Sequence, residues 1–272
     1  MNILKYLKSV GTFLGLSVYF ATNAVSADDS AGDIAKKLAN PIAALISVPI
    51  QANYDENIGA SEQGAVWRVN VQPVIPVSIS EDWNLISRTI LPLIHQSDIP
   101  GRGDGESGLG DTVQSFFFSP KAPSSNGTIW GVGPVLLMDT ATDDALGGEQ
   151  WGIGPTAVAL KQNGPWTYGM LANHIESFSG NDDRNDVSAT FVQPFLSYIT
   201  SSQTTLSLNT ESTYDWEEKQ WAIPINFNVN QLLKVGGNLI QVGGGVRYWV
   251  ESPDGAADDW GLRLQLTFLF PK

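Results

Sequence analysis

The chain has 272 residues with a formal net charge of −13, no cysteine, nine Trp and 27 Gly. The acidic balance excludes an electrostatic footprint for nucleic acid, and the lack of cysteine excludes disulfide staples, thiol catalysis and Cys-ligated zinc. Charged residues are only 16% of the chain, below the quarter or so usual of soluble domains, which leaves a large soluble β-sandwich or a barrel whose lipid face carries apolar side chains in place of charge.

Lys5 and Lys8, the apolar run from Val10 to Phe20, and Val25-Ser26-Ala27 before Asp28 predict a secretory signal peptide over residues 1–27. Its removal takes away two lysines and no acid, so the charge becomes −15. Residues 28–44 form an N-terminal segment in which Asp33 to Asn40 reads as about two turns of helix, with Asp33 as N-cap and Pro41 as the stop. That helix is a candidate plug; lying against a rim is the alternative. No stretch approaches the roughly 18 apolar residues of a transmembrane helix.

From Leu45 to the end, residues 45–272 divide into twelve segments of strand length. They run from Leu45 to Asn53, Val66 to Ile79, Trp83 to His95, Leu109 to Ser119, Thr128 to Asp139, Gln150 to Gln162, Trp166 to Phe178, Val187 to Thr200, Thr204 to Tyr214, Trp221 to Leu232, Asn238 to Val250 and Trp260 to Phe270. The last alternates cleanly, with Trp260, Leu262, Leu264, Leu266, Phe268 and Phe270 on one face and Gly261, Arg263, Gln265 and Thr267 on the other. The second, tenth and eleventh do the same; the fourth to eighth leave their faces unassigned.

Alternation alone suits a sandwich as well as a barrel. The connections separate the two, because every second one is long and acidic, as in Ser97 to Gly108 and Asp143 to Glu149, and those between are short, as in Ser80 to Asp82 and Asn163 to Pro165. Long loops on one side and short turns on the other are the mark of an outer-membrane barrel. Trp67, Trp83, Trp130, Trp151, Trp166, Trp221 and Trp260 fall near strand ends, where their rings suit the two membrane interfaces. The expected fold is all-β: a closed antiparallel transmembrane β-barrel of about twelve strands with a short N-terminal helix, located in the bacterial outer membrane.

Several strands carry an internal Pro, which deletes a ladder donor. Trp130-Gly131-Val132-Gly133-Pro134 and Trp151-Gly152-Ile153-Gly154-Pro155 repeat one pattern, which makes Pro134 and Pro155 candidate wall kinks; such defects could open a lateral gap.

Leu38-Ala39-Asn40-Pro41, the run from Leu45 to Tyr54, Asn70-Val71-Gln72-Pro73-Val74-Ile75-Pro76, Asn84 to Ile90, Gly108-Leu109-Gly110-Asp111, Trp130 to Pro134 and Gln193-Pro194-Phe195 resemble an outer-membrane transporter family associated with phenol meta-pathway degradation, over nearly the whole mature chain. The resemblance implies a transport barrel with no catalytic residues to carry over. The ending Phe270-Pro271-Lys272 departs from the terminal aromatic usual of signals for the barrel-assembly machinery.

Arg68, Arg88, Glu211, Arg247 and Arg263 fall on polar strand faces, so in a barrel they are lumen-lining candidates that select solutes by charge or brace the wall. Only His95 and His174 are available for catalysis, and Asn173 and His174 point to opposite faces, so a membrane phospholipase triad is not supported. Gly101-Arg102-Gly103-Asp104-Gly105 lacks the strand-to-helix context of a phosphate loop. Asp182, Asp183 and Asp186 read as solvated loop charge rather than a divalent site, and no cofactor or metal is expected. Expected partners are outer-membrane lipid, lipopolysaccharide, a small-molecule solute and the barrel-assembly machinery, with no nucleic acid. The expected function is passive passage of small solutes, aromatic or hydrophobic ones included; a closed barrel with a structural or surface-binding role is the alternative.

Overall fold

The computed structural model describes residues 31–236 and 238–270; the expected signal peptide and the Pro271-Lys272 ending lie outside the described residues. A helix, α1 (Ala31–Leu38), precedes fifteen strands: β1 (Ile46–Ile58), β2 (Gly64–Val71), β3 (Val74–Ser78), β4 (Trp83–Ser97), β5 (Ser107–Leu109), β6 (Thr112–Pro120), β7 (Thr128–Met138), β8 (Gln150–Asn163), β9 (Trp166–Gly180), β10 (Ser188–Ile199), β11 (Thr204–Thr210), β12 (Ser212–Asp215), β13 (Gln220–Val235), β14 (Asn238–Glu251) and β15 (Trp260–Phe270). Breaks at Gln72-Pro73, Gly110-Asp111 and Glu211 divide three wall strands into two pieces each, so the wall has twelve strands. Every neighbouring pair is antiparallel, and β15 returns to β1 in register from Ile46↔Phe270 to Tyr54↔Leu262. Closure leaves no strand edge unpaired in lipid, where an unsatisfied amide costs several kcal/mol.

The helix begins two residues earlier than expected, which moves Asp33 from the N-cap into the first turn. β1 also runs past Asn53 to Ile58, so Asp55, expected in an acidic loop, belongs to the wall.

On β15 the even-numbered residues from Trp260 to Phe270 turn outward and Gly261, Arg263, Thr267 and Leu269 are buried within. Leu264 is 58% exposed and Arg263 2%, the inverse of a soluble protein. Ten steps of about 3.4 Å at a tilt of about 40° raise the chain about 26 Å, which matches the apolar band of an outer-membrane barrel. Aromatic pairs mark both borders of the band. Tyr54–Trp67 (ring centroids 5.0 Å apart) and Tyr248–Trp260 (5.0 Å) lie at the long-loop end, and Trp83–Trp130 (5.8 Å) and Trp166–Tyr198 (4.7 Å) at the short-turn end.

Pro134 and Pro155 stand directly opposite each other on β7 and β8. The β6–β7 ladder skips from Ser115↔Val135 to Phe118↔Val132, and the β8–β9 ladder from Ile153↔Glu176 to Thr156↔Asn173, with no change of register. The preceding Gly133 and Gly154 permit this: a Cβ on either would collide with the carbonyl oxygen of Phe116 or of His174.

Candidate functional site

The interior holds a cavity of about 510 Å³. Its two sides differ because the strands that build them differ. Ile90 on β4, Val113 on β6, Ile175 on β9 and Phe191 and Phe195 on β10 make one side the more apolar, with Ser115, Asn173, Gln193 and Ser197 interspersed among them. Below them Ile86, Phe117, Val158, Leu160 and Leu171 pack together around Ile42 from the N-terminal segment. The opposite side is polar, made by Gln51, Asn70, Gln72, Asn209, Asn228, Asn230 and Gln265.

The polar side depends on glycine. Asn228 and Asn230 pair with Gly245 and Gly243 across β13–β14, and a Cβ on either glycine would collide with the carboxamide oxygen of its partner asparagine. The two buried asparagines therefore lie flat against β14.

Of the sequence-selected charges, Glu211, Arg247 and Arg263 gather on this polar side, Arg88 stands at its margin and Arg68 is exposed. Arg263 donates from Nη1 and Nη2 to Glu211 Oε1 and Oε2 (2.9 and 2.7 Å) and from Nε to Asn53 Oδ1 (2.7 Å). Glu211 sits at the β11–β12 break, so the pair is a chord past β14 and β13, three strand spacings of about 4.8 Å each. Arg247 Nη1 lies 3.2 Å from Asp55 Oδ2, the Trp249 indole donates to Asp55 Oδ1 (3.0 Å), and the Arg247 guanidinium lies 4.7 Å from the centre of the Trp249 ring. Gly261 separates the two strands of that pair: a Cβ there would be 2.6 Å from Asp55 Oδ1 and 2.9 Å from Arg247 Cγ. Arg88 lines the cavity and donates to the neutral Gln72 Oε1 (3.1 Å). Arg68 pairs in register with the lumen residue Asn53, shares its face and is exposed.

Asp55 and Asn53 were not among the expected lumen residues, whereas Gln72 and the asparagine row belong to the polar strand faces read from the sequence. The signal was present for the first two, since Ser47, Pro49, Gln51, Asn53 and Asp55 continue one period-two face.

Both mouths carry additional chain. At the inner end, α1 packs Ile34 against Leu45, Leu232 and Leu269 at the ends of β13 and β15, and its Lys36 carbonyl accepts from Gln162 Nε2 of β8 (2.8 Å). Because β8 and β13–β15 are far apart in the ring, the segment lies across the mouth, and Leu38, Ala39 and Pro41 form part of the cavity wall. At the outer end, residues 139–149 fold inward, with Leu146 buried on Val66 and Ile94. The Asp111 carboxylate holds this loop by accepting from the amides of Thr140 (3.2 Å), Ala141 (3.2 Å) and Gly148 (2.6 Å).

Asn173 lines the cavity while His174 lies on the outer face, 2.9 Å from Thr190 Oγ1 and 3.2 Å from Glu176 Oε2. The two do not converge. His95 contacts the hydroxyls of Ser107 (2.6 Å) and Ser97 (3.4 Å) on the exposed outer rim.

Neither a family model nor a curated protein matches the sequence. Among solved structures, the chain is similar to an outer membrane channel from Pseudomonas putida F1, at 14% identity and a TM-score of 0.64, over 84% of this chain and 96% of that one. The β domain of the Bordetella autotransporter BrkA aligns at 12% identity over 82% of this chain and 99% of that one, with a TM-score of 0.45. The phenol link in the sequence resemblance has no counterpart in these comparisons. The closed twelve-stranded wall, its apolar exterior and its two aromatic borders make this chain an outer-membrane β-barrel.

Proposed function

We propose that the protein is an outer-membrane channel for the passive passage of small solutes, aromatic and hydrophobic compounds among them. The observation that carries this reading is the roughly 510 Å³ cavity inside the barrel, apolar on one side and polar on the other. A barrel braced only for stability gains nothing from an unfilled interior, since packing loses dispersion energy at every void. The residues around Arg263–Glu211 narrow the passage and give it a charge preference. Residues 28–44 act as the inner plug of the barrel domain, residues 45–272, and the Gly-Pro interruptions at Pro134 and Pro155 bend its wall around the cavity.

Planar-bilayer conductance tests this. The mature protein is expected to pass a small current that rises on deletion of residues 31–40, because Leu38 and Ala39 close the cavity from below. Absence of current from both proteins, together with no solute-dependent liposome swelling, would leave the closed structural barrel as the correct reading.

A further inference from the structure

We infer that the cavity binds amphipathic carboxylates, with the Arg88 guanidinium receiving the carboxylate and the apolar side receiving the hydrocarbon or aromatic body. This rests on the channel reading and names the solute class of the same cavity.

Charge pairing comes first. Among the described residues, three guanidinium groups that are not exposed, Arg88, Arg247 and Arg263, gather at the polar side with two carboxylates, and the exposed Arg68 adds no acid; Glu211 is bonded by both terminal nitrogens of Arg263, and Asp55 by Arg247 and the Trp249 indole. Arg88 has a neutral partner in Gln72. A guanidinium offers five donors, and a charge held away from bulk water is stabilised by a counter-charge. Among these described groups the cluster therefore keeps one positive charge in excess, and Arg88, one of the cavity-lining residues, is the guanidinium whose hydrogen-bond partner is neutral. An ammonium ligand would meet that excess charge, with both carboxylates already engaged.

Position comes second. Arg88 is at the seam between the two sides, with Gln72 on one flank and Ile90, two residues along the same face, on the other. Val113 stands opposite Ile90 in register and Ser115 opposite Arg88. A carboxylate seated on Arg88 accordingly has its tail beside Ile90 and Val113, with Ile175 and Phe191 in the same cavity. The planar two-oxygen fork of a carboxylate matches a guanidinium, and the volume is that of a site for a molecule of drug size.

The test uses mature protein in lipid nanodiscs, with empty nanodiscs as the blank, titrated with 2-naphthoate, the matching naphthalene methanol and the matching naphthylmethylammonium. Naphthoate is expected to bind about tenfold more tightly than the alcohol, the worth of one hydrogen-bonded charge, with the ammonium weakest. R88Q should reduce naphthoate to the affinity of the alcohol and leave the alcohol unchanged, while R88K keeps part of the preference. Equal binding of the three probes by the unaltered protein, or a preference that survives in R88Q, overturns the inference. The comparison on unaltered protein decides even where R88Q fails to show the heat-modifiable shift of a folded barrel. Conductance without any probe preference overturns this inference alone; probe preference without conductance overturns the passage reading alone.

Discussion

The Arg263–Glu211 chord makes a sharp energetic prediction. Arg263 is 2% exposed, and its side chain donates to Glu211 twice and to Asn53 once. Glu211→Ala leaves that guanidinium with Asn53 only, and brings three arginines together over one remaining acid, Asp55. Removing one partner of a buried pair costs about 3–5 kcal/mol. The low end, about 3 kcal/mol, applies here because the Glu211 side chain keeps 22% of its surface in the lumen, where water screens it. Replacing both partners by uncharged residues of similar shape, as in Glu211→Gln with Arg263→Met, removes the stranded charge and should cost about 1 kcal/mol or less. The measurement is urea unfolding of the barrel from phospholipid vesicles, followed by tryptophan fluorescence and by the gel shift of the folded form, for Glu211→Ala and for the cycle of Glu211→Gln, Arg263→Met and their double. A double variant as unstable as the sum of the singles would refute the reasoning, because two residues that do not couple are not a pair.

Leu264 lies midway between the aromatic borders on the lipid side of β15, so Leu264→Arg should destabilise the barrel in vesicles by about 2–4 kcal/mol; a change within about 0.5 kcal/mol would place this face in water. Gly133→Ala and Gly154→Ala each drive a methyl into a neighbouring carbonyl oxygen and should abolish folding in vesicles, whereas Gly148→Ala, whose added Cβ meets nothing closer than Asp111 Oδ2 at 3.7 Å, should fold normally. Asp111→Ala removes the acceptor of three loop amides, at about 1.5–3 kcal/mol for each bond to a charged group. The 139–149 loop should then become a site of protease cleavage in intact cells while the barrel stays folded, and a loop as resistant as in the parent would refute the tether.

The number of wall strands, their order, the two-sided loop pattern and the lipid face of β13 to β15 were legible in the sequence. In those strands only one face is apolar, so period two shows directly. It failed in β6 to β10, where the inward Phe117, Val158, Leu160 and Leu171 lie back to back with the outward Phe118, Ile153, Tyr168 and Met170. Apolar side chains on both faces erase the alternation. The five candidate charges were chosen for the same reason that β15 was legible: each is a polar residue within an alternating strand.

Their partners were not legible. Arg263 meets Glu211 across 52 positions of sequence and Arg247 meets Asp55 across 192. Strand pattern says which way a side chain turns, and that is a local property of the backbone, so the sequence by itself determined a barrel with charged groups inside it. Which charges pair, that Arg88 takes the neutral Gln72 as its hydrogen-bond partner, and that α1 crosses the inner mouth depend on how the ring closes and where β1 meets β15. Those are distances between residues remote in the chain, and only the tertiary structure decided them.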